Sequence, residues 1–337
     1  MESRVAASLA PRPRVAASGV KAVIFDWAGT IVDHGSIAPV LAFVEVFAKH
    51  GVSIDVVRAV GGVGGVVWVG RSVVAGQPAS ASPTPSRPHP HPPTSPHPPQ
   101  PTARGPMGTN KRDHISSILY SPAVSAAWAA AHGGAAPDEA SVDALYAAFT
   151  PIQVSAAAAR AEPIAGAVAL VAALRARGVR VGGCSGYNRA IMEAVARGAA
   201  ARGLALEANT CANAAGSNGR PKPWMAAEVA AALDAWPLSA GVKVDDTLPG
   251  IAEGLHAGMW TVGVTASGNE LGMDAAELAA AEAADPRGFA DRLAAAHARF
   301  AAAGAHYVLR SVAELMPVLE DIAARIAAGE TPLAPGV

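Results

Sequence analysis

From Pro163 onward, short apolar runs alternate with helical stretches, and this alternation restricts the fold more than any other feature of the chain. A helix expected over 164–177 leads to an apolar run over 179–184, then to a helix over 189–202. The unit repeats. A helix over 224–235 precedes a run at 242–244, and a helix over 249–257 precedes a run at 260–264. A late strand around 306–309 and a last helix complete the pattern. Helices alternating with short strands give right-handed crossovers, hence a Rossmann-like α/β fold with a doubly wound parallel sheet. Residues 21–25, Lys-Ala-Val-Ile-Phe, form one more such run and stop abruptly at Asp26. A run without polar alternation suits a strand buried on both faces.

A helical excursion separates that first strand from the others. Val40, Leu41, Val44 and Phe47 recur at helical spacing before Gly51, and residues 111–160 read as helical throughout, around Trp128, Leu145 and Phe149. The expected organisation is a core formed by 20–38 and 161–330, with a helical cap over 39–160 inserted after strand one. The cap is interrupted. Residues 56–76 are rich in Gly and Val, and 78–101 are dense in Pro, His and Ser. Proline-dense sequence lacks backbone donors and favours extended, solvated conformations, so 56–102 is expected to be a disordered insertion. It reads as a solvated linker, with docking of its PxxP stretches on an SH3-like partner as the alternative.

Composition excludes several functions. The chain of 337 residues is 51% hydrophobic with a net charge of −1, which suits a large core and gives no attraction to nucleic acid or an anionic membrane. No apolar run approaches the roughly 20 residues of a membrane-spanning helix. Two cysteines, Cys184 and Cys211, make no disulfide framework, so a reducing compartment, the cytoplasm, is expected. The Arg/Ala/Ser-rich stretch 1–19 reads either as a disordered tail or as an organelle-targeting leader.

Ligands of open α/β sheets gather outside the carboxyl ends of the strands. Strand one ends in Asp26-Trp27-Ala28-Gly29-Thr30, a second strand in Cys184-Ser185-Gly186, and another in Asp245-Asp246-Thr247; Gly219-Arg220-Pro221 lies between the last two. Two carboxylates with open positions suit Mg²⁺, which keeps waters and takes phosphate oxygens as ligands. A hydroxyl, backbone amides and an arginine suit the remaining phosphoryl oxygens. Each piece alone has a plainer reading as a cap, turn or solvated loop. Their order, each at a strand end, resembles the four motifs of the haloacid dehalogenase superfamily, in which Asp26 would be the nucleophile that captures phosphorus.

One position departs from the phosphatases of that superfamily, which carry a second Asp two residues after the nucleophile to protonate a leaving alkoxide. Here it is Ala28. Either the site is degraded, or the leaving group is carbon and needs an electron sink instead of an acid. A sink is available in the cap segment 103–114, where an amine such as that of Lys111 can condense with an aldehyde. Lys111 and His114 are three apart and share a helix face, so His114 is placed to move protons.

Five motifs now resemble the phosphonoacetaldehyde hydrolases: Asp-Trp-Ala-Gly-Thr at 26–30, Met-Gly-x-x-Lys-x-x-His at 107–114, Cys-Ser-Gly-Tyr at 184–187, Gly-Arg-Pro-x-Pro-Trp-Met at 219–225 and Gly-Met-Trp-Thr-Val-Gly at 258–263. The resemblance implies Asp26 as nucleophile, Lys111 as Schiff-base residue, and Mg²⁺ on Asp26, the Ala28 carbonyl and Asp246. It implies that Ser185, Gly186 and Arg220 hold the phosphoryl group, and that Met107, Tyr187 and His114 shape the aldehyde pocket or move protons. It also implies a homodimer formed through the caps. Some relatives carry a further Asp at the place of Gly250, so Asp245 is expected to support the metal instead. The competing readings are a phosphate-ester phosphatase and a non-catalytic relative disabled by the insertion.

Overall fold

The computed structural model describes residues 19–54, 103–213 and 217–332. The expectations for 1–18 and for 56–102 lie outside the described residues. Strand β1 (Ala22–Phe25) is followed by the cap helices α1 (Ile37–Lys49), α2 (Lys111–Leu119), α3 (Pro122–Ala131) and α4 (Glu139–Ala159). The core resumes with α5 (Ala167–Ala176), β2 (Arg180–Ser185), α6 (Arg189–Ala200), β3 (Ala208–Cys211), α7 (Trp224–Ala232), β4 (Gly241–Asp245), α8 (Leu248–His256) and β5 (Trp260–Val264). Helices α9 (Ala275–Ala284) and α10 (Pro286–Ala302), strand β6 (Tyr307–Leu309) and helix α11 (Leu315–Ala327) end it.

The six strands form one parallel sheet in the order β3-β2-β1-β4-β5-β6. Side chains of β1 alternate between layers. Val23 and Phe25 enter the core shared with α5, α11 and the cap, whereas Ala22 and Ile24 pack on the opposite face against Met225 and Val229 of α7. That two-sided burial is why the strand shows no polar alternation. Phe43 of α1 stacks on Phe149 of α4 with ring centroids 4.6 Å apart, joining two cap helices. Burying each such ring contributes roughly 1.5–3 kcal/mol.

Local departures from the sequence expectations have physical causes. Helix α1 buries Val40, Phe43, Val46 and Phe47, while Leu41 is 45% exposed, because a residue one step from Val40 lies about 100° round the helix. The stretch 111–160 is three helices. Ser121 and Pro122 begin a new one, and Gly133 and Gly134, at φ +65° and +92°, break the chain before Asp138 caps α4. Strand β3 was not expected; as an edge strand, half-exposed, its Ala-Asn-Thr-Cys carries no apolar run. Helix α9 buries no residue fully; Leu278 and Ala281 are half-buried against the cluster around Phe289, and the alanines around them leave no apolar period to read. Among the described residues no helix is long and apolar enough to cross a membrane.

Candidate active site

Winding reverses at β1, which has β2 on one side and β4 on the other, so the loops after β1 and β4 part and leave a crevice. Asp26 stands at this point, its backbone N–H donating to the Val244 carbonyl at 2.9 Å. The following loop turns tightly, with the Ile31 and Val32 N–H groups both donating to the Trp27 carbonyl (2.9 and 3.0 Å). Gly29 takes φ +83°, and any side chain there would collide with the Asp246 carboxylate. Asp246 is held at both oxygens: Thr30 Oγ1 donates to Oδ1 (3.0 Å) and the Asn269 N–H to Oδ2 (2.8 Å).

Carboxylate oxygens of Asp26, Asp245 and Asp246 lie within 4.8 Å of one another, all buried. Burial raises Asp26 to about 6; Arg220 opposes the rise and Asp245 adds to it. Burial, with the charges of Asp26 and Asp245, pushes Asp246 well above the ordinary range. Asp245 behaves oppositely: against burial, Arg220 and Lys243 hold it below the usual carboxylate value. Asp246, bonded to Thr30 and the Asn269 N–H, and Asp26, which shares Arg220 with Asp245 and Glu253, are crowded acids that suit a hard divalent ion, because bringing in that charge relieves the repulsion.

Beneath them lies a buried charge network. Lys243 Nζ sits 2.5 Å from Asp245 Oδ2 and 3.8 Å from Glu253 Oε2. The Arg220 guanidinium donates through Nη2 to Asp26 Oδ1 (2.7 Å) and the Cys184 carbonyl (3.1 Å), and reaches Asp245 Oδ2 at 3.0 Å. Its Nε donates to Glu253 Oε2 (2.8 Å) and its Nη1 to the Gly108 carbonyl (3.3 Å). Arg220 thus anchors the nucleophile and touches the cap loop. The expected place of a further Asp, Gly250, is filled by its neighbour: a side chain there would overlap the Asp245 carboxyl group.

The cap supplies the remaining groups. Asn110 caps α2, accepting from the Asp113 N–H (3.0 Å), so Lys111 opens the helix. Its Nζ lies 5.6 Å from the Phe43 ring centroid and 5.4 Å from that of Tyr187. Burial lowers the amine to about 8, with Asp26 pulling it up and Arg220 pushing it down. The positive end of α2 acts in the same direction as burial. His114 is fully buried, and its Nε2 is 3.0 Å from the Ala103 carbonyl. Since a carbonyl oxygen only accepts, Nε2 carries the proton and Nδ1 is left as a bare acceptor. Burial and the nearby Lys111 lower this imidazole well below its usual value.

Asp26, Ala28, Lys111 and Arg220 line one cavity of about 20 Å³. Met107, Ser185, Gly186 and Tyr187 share its wall with Ser36, Pro39, Gly108 and Thr247. Gly186 is the point of closest approach between core and cap, because a side chain there would strike the Gly108 and Thr109 carbonyls. The Ser185 hydroxyl accepts from the Tyr187 N–H at 3.3 Å. His114 and Asp246 stand one layer behind this lining. Residues not expected from the sequence also support the site: Lys243, Glu253, Thr30 and Asn269. Lys243 did carry a signal, since a lysine inside an otherwise apolar strand needs a buried acid partner. Thr30 meets Asp246 across 216 positions, a pairing only the fold creates.

Such a sheet, with an acid-lined crevice at its switch point and a helical cap after strand one, defines a class of α/β hydrolases. The chain belongs to that class, matching the haloacid dehalogenase-like hydrolases over residues 20–258. It is 40% identical to the phosphonoacetaldehyde hydrolase of Paraburkholderia xenovorans, over 93% of this chain and 99% of that one. It is 39% identical to that of Klebsiella pneumoniae subsp. pneumoniae, with the same shares. A crystal structure of a phosphonoacetaldehyde hydrolase-like protein from Oleispira antarctica superposes with a TM-score of 0.75 at 35% identity, covering 97% of this chain and all of that one. Within the class the chain is therefore a member of the phosphonoacetaldehyde hydrolase family, and it is a hydrolase. A β-phosphoglucomutase from Clostridium difficile shares the fold alone, at a TM-score of 0.53 and 14% identity over 92% of this chain and 99% of that one.

Proposed function

We propose that this enzyme hydrolyses the carbon–phosphorus bond of phosphonoacetaldehyde to acetaldehyde and phosphate, through an imine on Lys111 and an aspartyl phosphate on Asp26. The observation that carries the reading is one cavity lined by a desolvated amine and a buried carboxylate, with Ala28 where an ester-cleaving relative needs an acid. Neutral Lys111 adds to the aldehyde carbon, and loss of water leaves a protonated imine. The Asp26 carboxylate attacks phosphorus. The electron pair of the breaking P–C bond moves into a new C=C bond while the iminium nitrogen takes up the π pair, giving an enamine. Protonation of the enamine carbon and addition of one water release acetaldehyde and return the lysine. A second water cleaves the aspartyl phosphate, so one water is consumed overall.

His114, a neutral base with a bare Nδ1, serves the proton movements. Ser185, the Gly186 amide and Arg220 hold the phosphoryl oxygens, and Met107 and Tyr187 wall the aldehyde end. Magnesium on the Asp26 and Asp246 carboxylates and the Ala28 carbonyl would supply charge neutralisation between the phosphonate and the nucleophile. A homodimer formed through the caps belongs to the same reading, and two exposed apolar side chains of the cap, Leu41 on α1 and Tyr120 just after α2, are available to such a contact. Sedimentation velocity of the purified chain measures it.

The deciding experiment assays acetaldehyde and phosphate release from phosphonoacetaldehyde with added magnesium, alongside p-nitrophenyl phosphate. Equimolar products from the phosphonate and little turnover of the ester support the reading; the reverse preference makes the chain a phosphate-ester phosphatase. Borohydride with substrate should reduce an adduct onto Lys111, and a chain that stays unlabelled and inert would be the non-catalytic relative.

A further inference from the structure

Arg104 lies in the cap loop seven residues before Lys111, and it is buried. Its guanidinium reaches groups from two separate stretches of chain. Nη1 donates to the Gly35 carbonyl (2.9 Å), in the connection between β1 and α1, and to Asn269 Oδ1 (3.1 Å), in the loop after β5. Nη2 donates to the Gly272 carbonyl at 3.1 Å. The Asn269 amide returns the contact, its Nδ2 donating to the Arg104 carbonyl at 3.3 Å. The two residues are therefore bonded in both directions. Gly272, at φ +61°, has no room for a side chain against the guanidinium carbon.

Each partner of this pair is tied to one half of the chemistry. The Asn269 N–H donates to Asp246 Oδ2 (2.8 Å), and the Gly35 N–H is held by the Ser267 carbonyl (2.7 Å). On the cap side, the Met107 N–H donates to the Arg104 carbonyl (3.1 Å), starting the turn that leads to Gly108, Asn110 and Lys111. The adjoining Ala103 carbonyl holds His114 Nε2. A planar guanidinium donates along fixed directions, so it sets the position of what it joins; a lysine ammonium, with one nitrogen, does not span these acceptors.

We infer that Arg104 is a positioning residue: with Asn269 it forms a clasp that registers the Met107–Lys111 loop on the core, so that the Lys111 amine and the Asp26 carboxylate act on one substrate molecule. The inference rests on the function proposed above. Loosening the clasp leaves Lys111 able to form an imine but misplaces that imine relative to Asp26, so bond cleavage slows more than adduct formation. A misplacement of about 1 Å costs on the order of 10²-fold in rate.

The test compares wild type, Arg104→Lys, Asn269→Ala and the double variant in the full chain with magnesium. Each is followed by melting temperature, by borohydride trapping of Lys111 with phosphonoacetaldehyde, and by acetaldehyde release. The clasp predicts near-normal trapping in folded variants and kcat lowered roughly 10²-fold with KM changed far less. It also predicts that the double variant is no worse than the worse single one, because the pair acts as a unit. Wild-type kcat in the single variants, or losses that multiply in the double, would overturn it. If Arg104→Lys fails to fold, Asn269→Ala decides alone, since it keeps the buried cation. An inert wild type sinks the proposed function and the clasp together, whereas an active wild type with unaffected variants sinks only the clasp.

Discussion

At the scale of single residues, the site depends on burial setting protonation states. In the proposed mechanism Lys111 acts through its lone pair, and burial brings it to about 8 instead of the ordinary 10.5. The protonated amine cannot attack a carbonyl, so kcat/KM should climb about tenfold per pH unit below 8 and level off above it. A profile still climbing through pH 10 would mean the amine is not desolvated. Lys111→Arg keeps the charge but removes the accessible lone pair; acetaldehyde release should fall by roughly 10⁴-fold or more while the melting curve stays in place. Lys243 tests the layer beneath. Replacing it with Met leaves Asp245 and Glu253 to share Arg220, and breaking such a buried pair costs about 3–5 kcal/mol, readable as a lower denaturation midpoint. A change below 1 kcal/mol would show that the network is not held by this lysine.

At the scale of elements, the cap is joined to the core through two connections that lie side by side. The Asp33 N–H donates to the Glu162 carbonyl (3.2 Å), and Val32 and Pro163 form an isolated β-bridge. Asp33 takes φ +52°, and its Oδ2 accepts from the Ala38 N–H (2.8 Å) at the start of α1. Burial pushes this carboxyl up to about 6, the Ala38 N–H opposing. Asp33→Ala should cost about 1 kcal/mol, the usual worth of a helix-capping acceptor. The sign of its pH dependence follows from the raised value. The folded state binds the proton more tightly than the unfolded one, so wild type loses stability as pH rises from about 4 to 6. The variant should lack that part of the slope in thermal melts across the range; identical slopes would remove Asp33 from the account.

At the scale of the whole molecule, core and cap meet over a cavity of about 20 Å³, room for a water but not for a phosphonate. On the proposed function, substrate enters when the cap parts from the sheet, which opens the wall that desolvates Lys111. Inorganic phosphate, a product of the proposed reaction, is also larger than this cavity, so binding it should shift the cap away from the sheet and speed hydrogen exchange across 103–119. Unchanged exchange at saturating phosphate would mean that the cap does not move with occupancy.

The sequence by itself determined the class of fold, because a parallel sheet covered on both faces demands uninterrupted apolar strands, and such strands are visible as runs. It also placed Asp26, Ser185 and Asp246, since strand ends are where a ligand meets such a sheet, and it singled out Lys111 through the motif around it. Tertiary structure decided which partners these groups have. The edge strand β3 and the alanine-rich, half-buried α9 carry no apolar pattern to read. Lys243 under Asp245, Thr30 on Asp246 and Arg104 on Asn269 are contacts between distant segments. Burial, and with it every shifted pKa of the site, exists only once sheet and cap have closed around the same few ångströms.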